Sequence, residues 1–209
     1  MLKEDGKKSA SALFFNERIN MKIGILGFQG AFLEHEQHIR TLGHEAVDVR
    51  YTEQLEELDG IILPGGESTT IGKLLIRTGM MEPLRKKIEA GFPVWGTCAG
   101  MILLAKKLVN DSTAHLAVMD IAVRRNAYGT QIDSFDTRVL IPEVSKEPIP
   151  LVFIRAPYIE EVGEQVKVMC CLNGNIVAAR QQNMLVTSFH PELTEDSAFH
   201  RYFVNMCQN

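Results

Sequence analysis

Three short stretches of this sequence carry side chains that could do chemistry together. Cys98 sits in Gly96-Thr97-Cys98-Ala99-Gly100, where a buried-strand pattern should meet an apolar helix. A nucleophile there is held on a sharp turn at the carboxyl end of a sheet, where open α/β sheets place their ligands. The helix N-terminus behind it favours the thiolate, the reactive form. Alone, the pentapeptide describes an inert buried cysteine equally well. His190-Pro191-Glu192 is the second stretch. In extended backbone, residues i and i+2 point the same way, and the proline stiffens the link. A cysteine nucleophile needs a base, and the base needs a group that fixes its tautomer. Cys98, His190 and Glu192 supply those roles in order, although His190 alone could be a half-buried structural histidine. The third stretch is Pro64-Gly65-Gly66-Glu67-Ser68. Successive glycines can turn their N–H groups toward one point, as an acyl-transfer oxyanion requires. By itself it is also a tight strand-to-helix turn.

The elements that must position these residues alternate. Lys22 to Phe28, Glu45 to Arg50, Gly60 to Leu63 and Phe92 to Gly96 read as strands. Between them lie helical patterns over Ala31–Leu42, Ser68–Thr78 and Pro83–Ala90, and an apolar helix runs on from Met101. That rhythm is the signature of a doubly wound parallel sheet. After about Asp111 short β-like pieces dominate: Ala117–Val123, Asp136–Ile141, Leu151–Ile154, Val166–Cys171, Ile176–Arg180 and Met184–Phe189. Thr194 is expected to cap a last helix in which Phe199, Phe203 and Met206 share a face. The expected fold is a single α/β domain, a mainly parallel central sheet with helices on both faces.

Composition narrows the function classes. The 209 residues are 45% hydrophobic and 23% charged, ordinary for one globular domain. No apolar run approaches the ~18 residues of a membrane span. A net charge of −4 argues against nucleic acid or an anionic membrane as partner. The four cysteines, Cys98, Cys170, Cys171 and Cys207, are sparse and no secretory signal precedes them, which reads as a reducing cytoplasm. Residues 1–20 differ from the rest and read as a leader or expression-derived extension, with the domain running from Met21 to Asn209. Two patterns are decoys. Gly66 to Leu74 has five residues between its glycines and no Ser or Thr after Lys73, so it is not a phosphate loop. His35 and His38 are three apart rather than the four of a zinc-protease helix, and are expected to be solvated. No metal is expected.

The motifs LGFQGAF (26–32), PGGEST (64–69), GTCAGMI (96–102), RRNAYG (124–129), IRAP (154–157) and FHPELT (189–194) resemble the class I, triad-type glutamine amidotransferases. PGGEST and RRNAYG narrow the resemblance to the glutaminase subunits of pyridoxal 5′-phosphate synthase. It spans Met21 to the end and implies a flavodoxin-like three-layer fold. It implies that Cys98, His190 and Glu192 are the triad and that Gly66 and Ala99 supply the oxyanion-hole N–H groups. By the same resemblance, Gly66, Glu67, Ser68, Arg125, Ile154 and Arg155 bind glutamine. From charge alone, Arg125 or Arg155 could pair with the substrate α-carboxylate, and Glu67 could meet its ammonium.

The resemblance further implies hydrolysis of L-glutamine to glutamate and ammonia, without a cofactor. The ammonia would pass to a synthase subunit in a hetero-oligomeric complex that assembles pyridoxal 5′-phosphate. The Gln29-Gly30 turn and the helix after it are candidate contacts for that subunit. Two other readings stand beside this one: a glutaminase subunit for another ammonia acceptor, and a non-catalytic assembly partner that kept the fold.

Overall fold

The computed structural model describes residues 20–125 and 134–208. The expected leader, apart from Asn20, and most of the RRNAYG motif, from Asn126 on, lie outside the described residues.

Five strands form the parallel heart of the sheet: β1 (Lys22–Leu26), β2 (Glu45–Val49), β3 (Gly60–Leu63), β4 (Val94–Thr97) and, far along the chain, β12 (Met184–Thr187). Their order is β2-β1-β3-β4-β12, all neighbours parallel. Counted within this block the order is 2-1-3-4-5, the flavodoxin-like arrangement, whose switch point lies between β1 and β3. Side chains alternate between two buried faces. Leu26, Ile61, Leu63, Val94, Met184 and Val186 enter one core. Ile23, Ile25, Ile62, Trp95 and Leu185 enter the other. Covering both faces is why β3, β4 and β12 are buried along their whole length and read as largely apolar runs, whereas the edge strand β2 keeps Glu45 exposed and Asp48 half-buried.

Helices α2 (Ser68–Arg77), α3 (Met81–Glu89) and α4 (Ala99–Leu104) cover the first face, through residues such as Ile71, Leu84 and Met101. Helices α1 (Phe32–Thr41) and α5 (Ala198–Cys207) cover the second, through Ile39, Phe199 and Phe203. The three-layer expectation holds.

The rest of the chain extends the sheet. β5 (Ala105–Leu108), β6 (Met119–Arg124), β9 (Tyr158–Val162), β10 (Lys167–Leu172) and β11 (Asn175–Gln181) continue it beyond β12, mostly antiparallel. β7 (Ser134–Val139) and β8 (Ile149–Ile154) form a separate antiparallel pair. β5 and β9 were not legible in the sequence. The expected helix from Met101 ends at Leu104, where the chain turns straight into β5.

The last helix differs from its expected start. It begins at Ala198 after Ser197, not at Thr194. The Thr194 hydroxyl instead accepts from the Asp196 N–H at 3.2 Å, and Asp196 accepts from the Ala198 N–H at 2.7 Å. Two short polar side chains have bonded to nearby backbone and shaped a turn ahead of the helix.

Candidate active site

All three candidate stretches emerge at the carboxyl ends of neighbouring strands: Gly65-Gly66 after β3, Cys98 after β4 and His190 after β12. Cys98 has φ 47° and ψ −101°, a region that costs a non-glycine residue about 1–3 kcal/mol. Two interactions hold it there. Its N–H donates to the Thr187 carbonyl at 2.8 Å, and its carbonyl accepts from the Met101 N–H at 3.1 Å. The flanking glycines allow the turn to pack. A Cβ on Gly96 would lie 2.5 Å from the Gly100 carbonyl, and one on Gly100 would lie 2.0 Å from the Leu63 carbonyl oxygen. The thiol is buried, 9% exposed.

His190 is tied to the neighbouring β8, its N–H donating to the Val152 carbonyl at 2.8 Å. Pro191–Leu193 forms a 3-10 turn rather than the expected extended segment. The turn lets the two side chains meet directly instead of standing side by side. His190 Nδ1 lies 2.7 Å from Glu192 Oε1. Both residues are buried. Burial opposes a charge on His190, but Cys98 and the Glu192 carboxylate outweigh it and raise its pKa to about 10. Burial likewise opposes ionisation of Glu192, yet the adjacent His35 and His190 rings hold it below its ordinary value.

Gly65 packs against both partners of the triad candidate. A Cβ there would lie 2.5 Å from His190 Cε1 and 3.6 Å from Cys98 Cβ. Gly66 has φ 144°, a conformation that favours glycine. Gln29, just after β1, braces this turn by accepting from the Glu67 N–H at 3.0 Å. Ala99 opens α4, so its N–H has no intrahelical acceptor.

The expected substrate residues are placed unequally. Glu67 is exposed at the start of α2. Ser68 is buried, and its hydroxyl has no hydrogen-bond partner among the described residues. Arg125 reaches the same turn, with Nη2 3.3 Å from Thr69 Oγ1, while Nη1 pairs with Asp111 at 3.0 Å. Ile154 ends β8, the strand tied to His190, and exposed Arg155 follows it with φ 45°. Arg155 is thus placed near the triad candidate by neighbourhood alone.

The SNO glutamine amidotransferase family matches residues 25–209. The chain belongs to that family. Among curated relatives, the "Pyridoxal 5′-phosphate synthase subunit PdxT" of Clostridium kluyveri is 58% identical over 90% of this chain and 100% of its own length. The protein of the same name from Carboxydothermus hydrogenoformans is 58% identical over 88% of this chain and 96% of its own. A solved structure described as a glutamine amidotransferase superposes with TM-score 0.84 at 43% identity, covering 90% of this chain and 99% of that one. A putative GMP synthase component from Thermoplasma acidophilum, with TM-score 0.65 and 16% identity over 90% of this chain and 94% of its own, shares the fold.

Within this SNO family member, sequence reasoning misjudged two residues beside the site. His38, expected to be solvated, is half-buried, with Nδ1 2.8 Å from Ser197 Oγ. His35 is fully buried rather than solvated, with Nε2 3.4 Å from Glu192 Oε2. Its position carried a signal: it follows Phe32 by three residues and precedes Ile39 by four, on the apolar stripe of α1.

Proposed function

We propose that this chain is the glutaminase subunit of a pyridoxal 5′-phosphate synthase, hydrolysing L-glutamine in the cytoplasm and handing ammonia to a synthase subunit. The observation that carries the chemistry is the set of buried groups around Gly65: a strained Cys98, and a His190 whose Nδ1 is 2.7 Å from Glu192 and whose Nε2 has no partner among the described residues. Family membership and the names of the relatives support the substrate and the partner.

With its pKa raised to about 10, His190 is an imidazolium near neutral pH. A cation beside a thiol favours the nucleophilic thiolate. Cys98 Sγ attacks the side-chain amide carbon of glutamine, and the backbone N–H groups of Gly66 and Ala99 receive the oxyanion. As the tetrahedral intermediate collapses, His190 gives its proton to the departing nitrogen and ammonia leaves. Acylation removes the thiolate charge, one of the causes that raised His190, so the ring's hold on a second proton weakens. The neutral imidazole then takes a proton from water, which attacks the γ-glutamyl thioester and releases glutamate. Glu192 orients the ring throughout. Glu67, Ser68, Arg125, Ile154 and Arg155, with Gly66, form the surface on which glutamine is held.

The test is ammonia release from L-glutamine by the chain alone and mixed with a synthase subunit. The reading predicts glutamine-specific release, faster in the mixture. No release in either condition would overturn it.

A further inference from the structure

Beyond Glu192 lies a row of imidazoles that the proposed reaction does not use. Glu192 Oε1 faces His190, and buried Oε2, which has no hydrogen-bond partner among the described residues, lies 3.4 Å from His35 Nε2, a nitrogen that also has Thr97 Oγ1 at 3.5 Å. The other nitrogen of His35, Nδ1, lies 2.9 Å from His200 Nε2 on α5. His35 and His200 are both fully buried. The row is clamped on its sides. The Trp95 ring meets His35 at 5.6 Å and His200 at 5.0 Å edge-on, and His38 stacks on His200 at 4.2 Å. His38 Nδ1 is in turn 2.8 Å from Ser197 Oγ. Among the described residues no group of three or more His, Cys, Asp or Glu could hold a metal.

The proton positions follow from the contacts. Burial is the main cause that lowers the pKa of His35 to about 4, and it drives His200 well below its ordinary value, so both rings are neutral. An N···N hydrogen bond between neutral imidazoles then has two forms. If His35 Nδ1–H donates to His200, the bare His35 Nε2 can accept from the Thr97 hydroxyl at 3.5 Å but sets its lone pair 3.4 Å from the Glu192 carboxylate, and His200 Nδ1–H becomes a buried donor without an acceptor. If His200 Nε2–H donates, His35 Nε2–H has two acceptors before it, Glu192 Oε2 at 3.4 Å and Thr97 Oγ1 at 3.5 Å, of which only the carboxylate is charged, and only an acceptor, His200 Nδ1, goes unpaired. The second form avoids both conflicts, since an acceptor set against an anion and an orphaned buried donor each cost free energy.

We propose that His35 is a positioning residue for the triad: its Nε2–H, in a tautomer set by His200, holds the second oxygen of Glu192 so that the first stays aimed at His190. The inference rests on the triad reading above. It adds that Glu192 is oriented from both sides rather than by His190 alone.

The first experiment needs no turnover. In 15N-histidine spectra of the full chain, His35, assigned by its loss in His35→Gln, is expected as a neutral ring protonated on Nε2. A ring protonated on Nδ1 would overturn the proposal, whether or not the chain hydrolyses glutamine. The second experiment compares kcat and KM for glutamine in the complex with the synthase subunit. His35→Leu is expected to lower kcat roughly tenfold to a hundredfold with KM little changed, the size expected for losing a hydrogen bond to a charged group. His35→Gln, which keeps an N–H near the position of Nε2, should recover most of that loss. Unchanged kcat in folded His35→Leu, or equal losses in both variants, would mean that His35 is only packing. Absence of parent turnover would count against the glutaminase reading, and the tautomer would still decide the role of His35.

Discussion

Gly65→Ala should slow catalysis roughly a hundredfold while leaving the fold in place. The position is buried, and its φ is not among the positive ones, so alanine can adopt the backbone. The obstacle is the added methyl. It would lie 2.5 Å from His190 Cε1 and 3.2 Å from Nδ1, against about 3.5–4.0 Å for a relaxed carbon contact. The ring must therefore withdraw by about 1 Å. It has little freedom to do so, because Nδ1 is 2.7 Å from Glu192 and the His190 N–H is bonded to Val152 at 2.8 Å. A misplacement of about 1 Å at a reacting group costs roughly a hundredfold in rate. Overpacking should cost about 1–3 kcal/mol in stability. The assay is ammonia release at saturating glutamine in the complex, with urea unfolding on the same preparation. Gly91→Ala is the control: nothing lies within 4 Å of its Cβ, but φ is 103°, so it should lose stability and keep kcat. A folded Gly65→Ala protein with parental kcat would refute the reasoning that His190 is fixed against this turn.

Glu192→Gln should reduce kcat on the order of a thousandfold with a much smaller change in glutamine-analogue affinity, because an amide steadies an imidazolium poorly and selects the wrong tautomer; equal rates would remove Glu192 from the mechanism. Acid should destabilise the fold before most carboxylates titrate. The folded pKa of His35 is lowered from 6.5 to about 4, so its contribution is complete above pH 6.5 and lost as pH falls through about 4, on the order of 3 kcal/mol. His200 acts in the same direction, and a urea midpoint that stays flat from pH 7 to 4 would contradict this. His190 has the opposite sign: raised to about 10, its contribution is present below pH 6.5 and lost as pH rises through about 10. Cys207→Ser should keep parental turnover, since Cys207 Sγ packs near Gly60 at the other end of β3; loss of activity in folded protein would point to a second essential thiol.

The parallel half of the fold was legible because both of its faces are buried. Strands such as Ile61-Ile62-Leu63 are then unbroken apolar runs, and the motifs at their carboxyl ends stand out. The antiparallel half was less so. β9 contains Glu160 and Glu161, and Glu160 is taken by Arg124 on the neighbouring β6, a cross-strand pairing that one-dimensional patterning hides. β5 begins without a break after an apolar helix, so no turn residue marks it. At the site, Cys98, His190 and Glu192 were found because nucleophile, base and carboxylate are rare at such turns. The 3-10 turn at Pro191 was not, since a proline after a strand fits either an extended segment or a turn. His35 was missed because a histidine on a charged helix reads as solvated until α5 is seen to cover it with His200.

The central claim is that Cys98 is the nucleophile of a glutamine hydrolase. Its most direct test is ammonia release from L-glutamine by Cys98→Ala, compared with the parent chain when each is mixed with the synthase subunit. The account predicts a folded variant whose release does not exceed that of glutamine alone. Release at a rate near the parent's would contradict it.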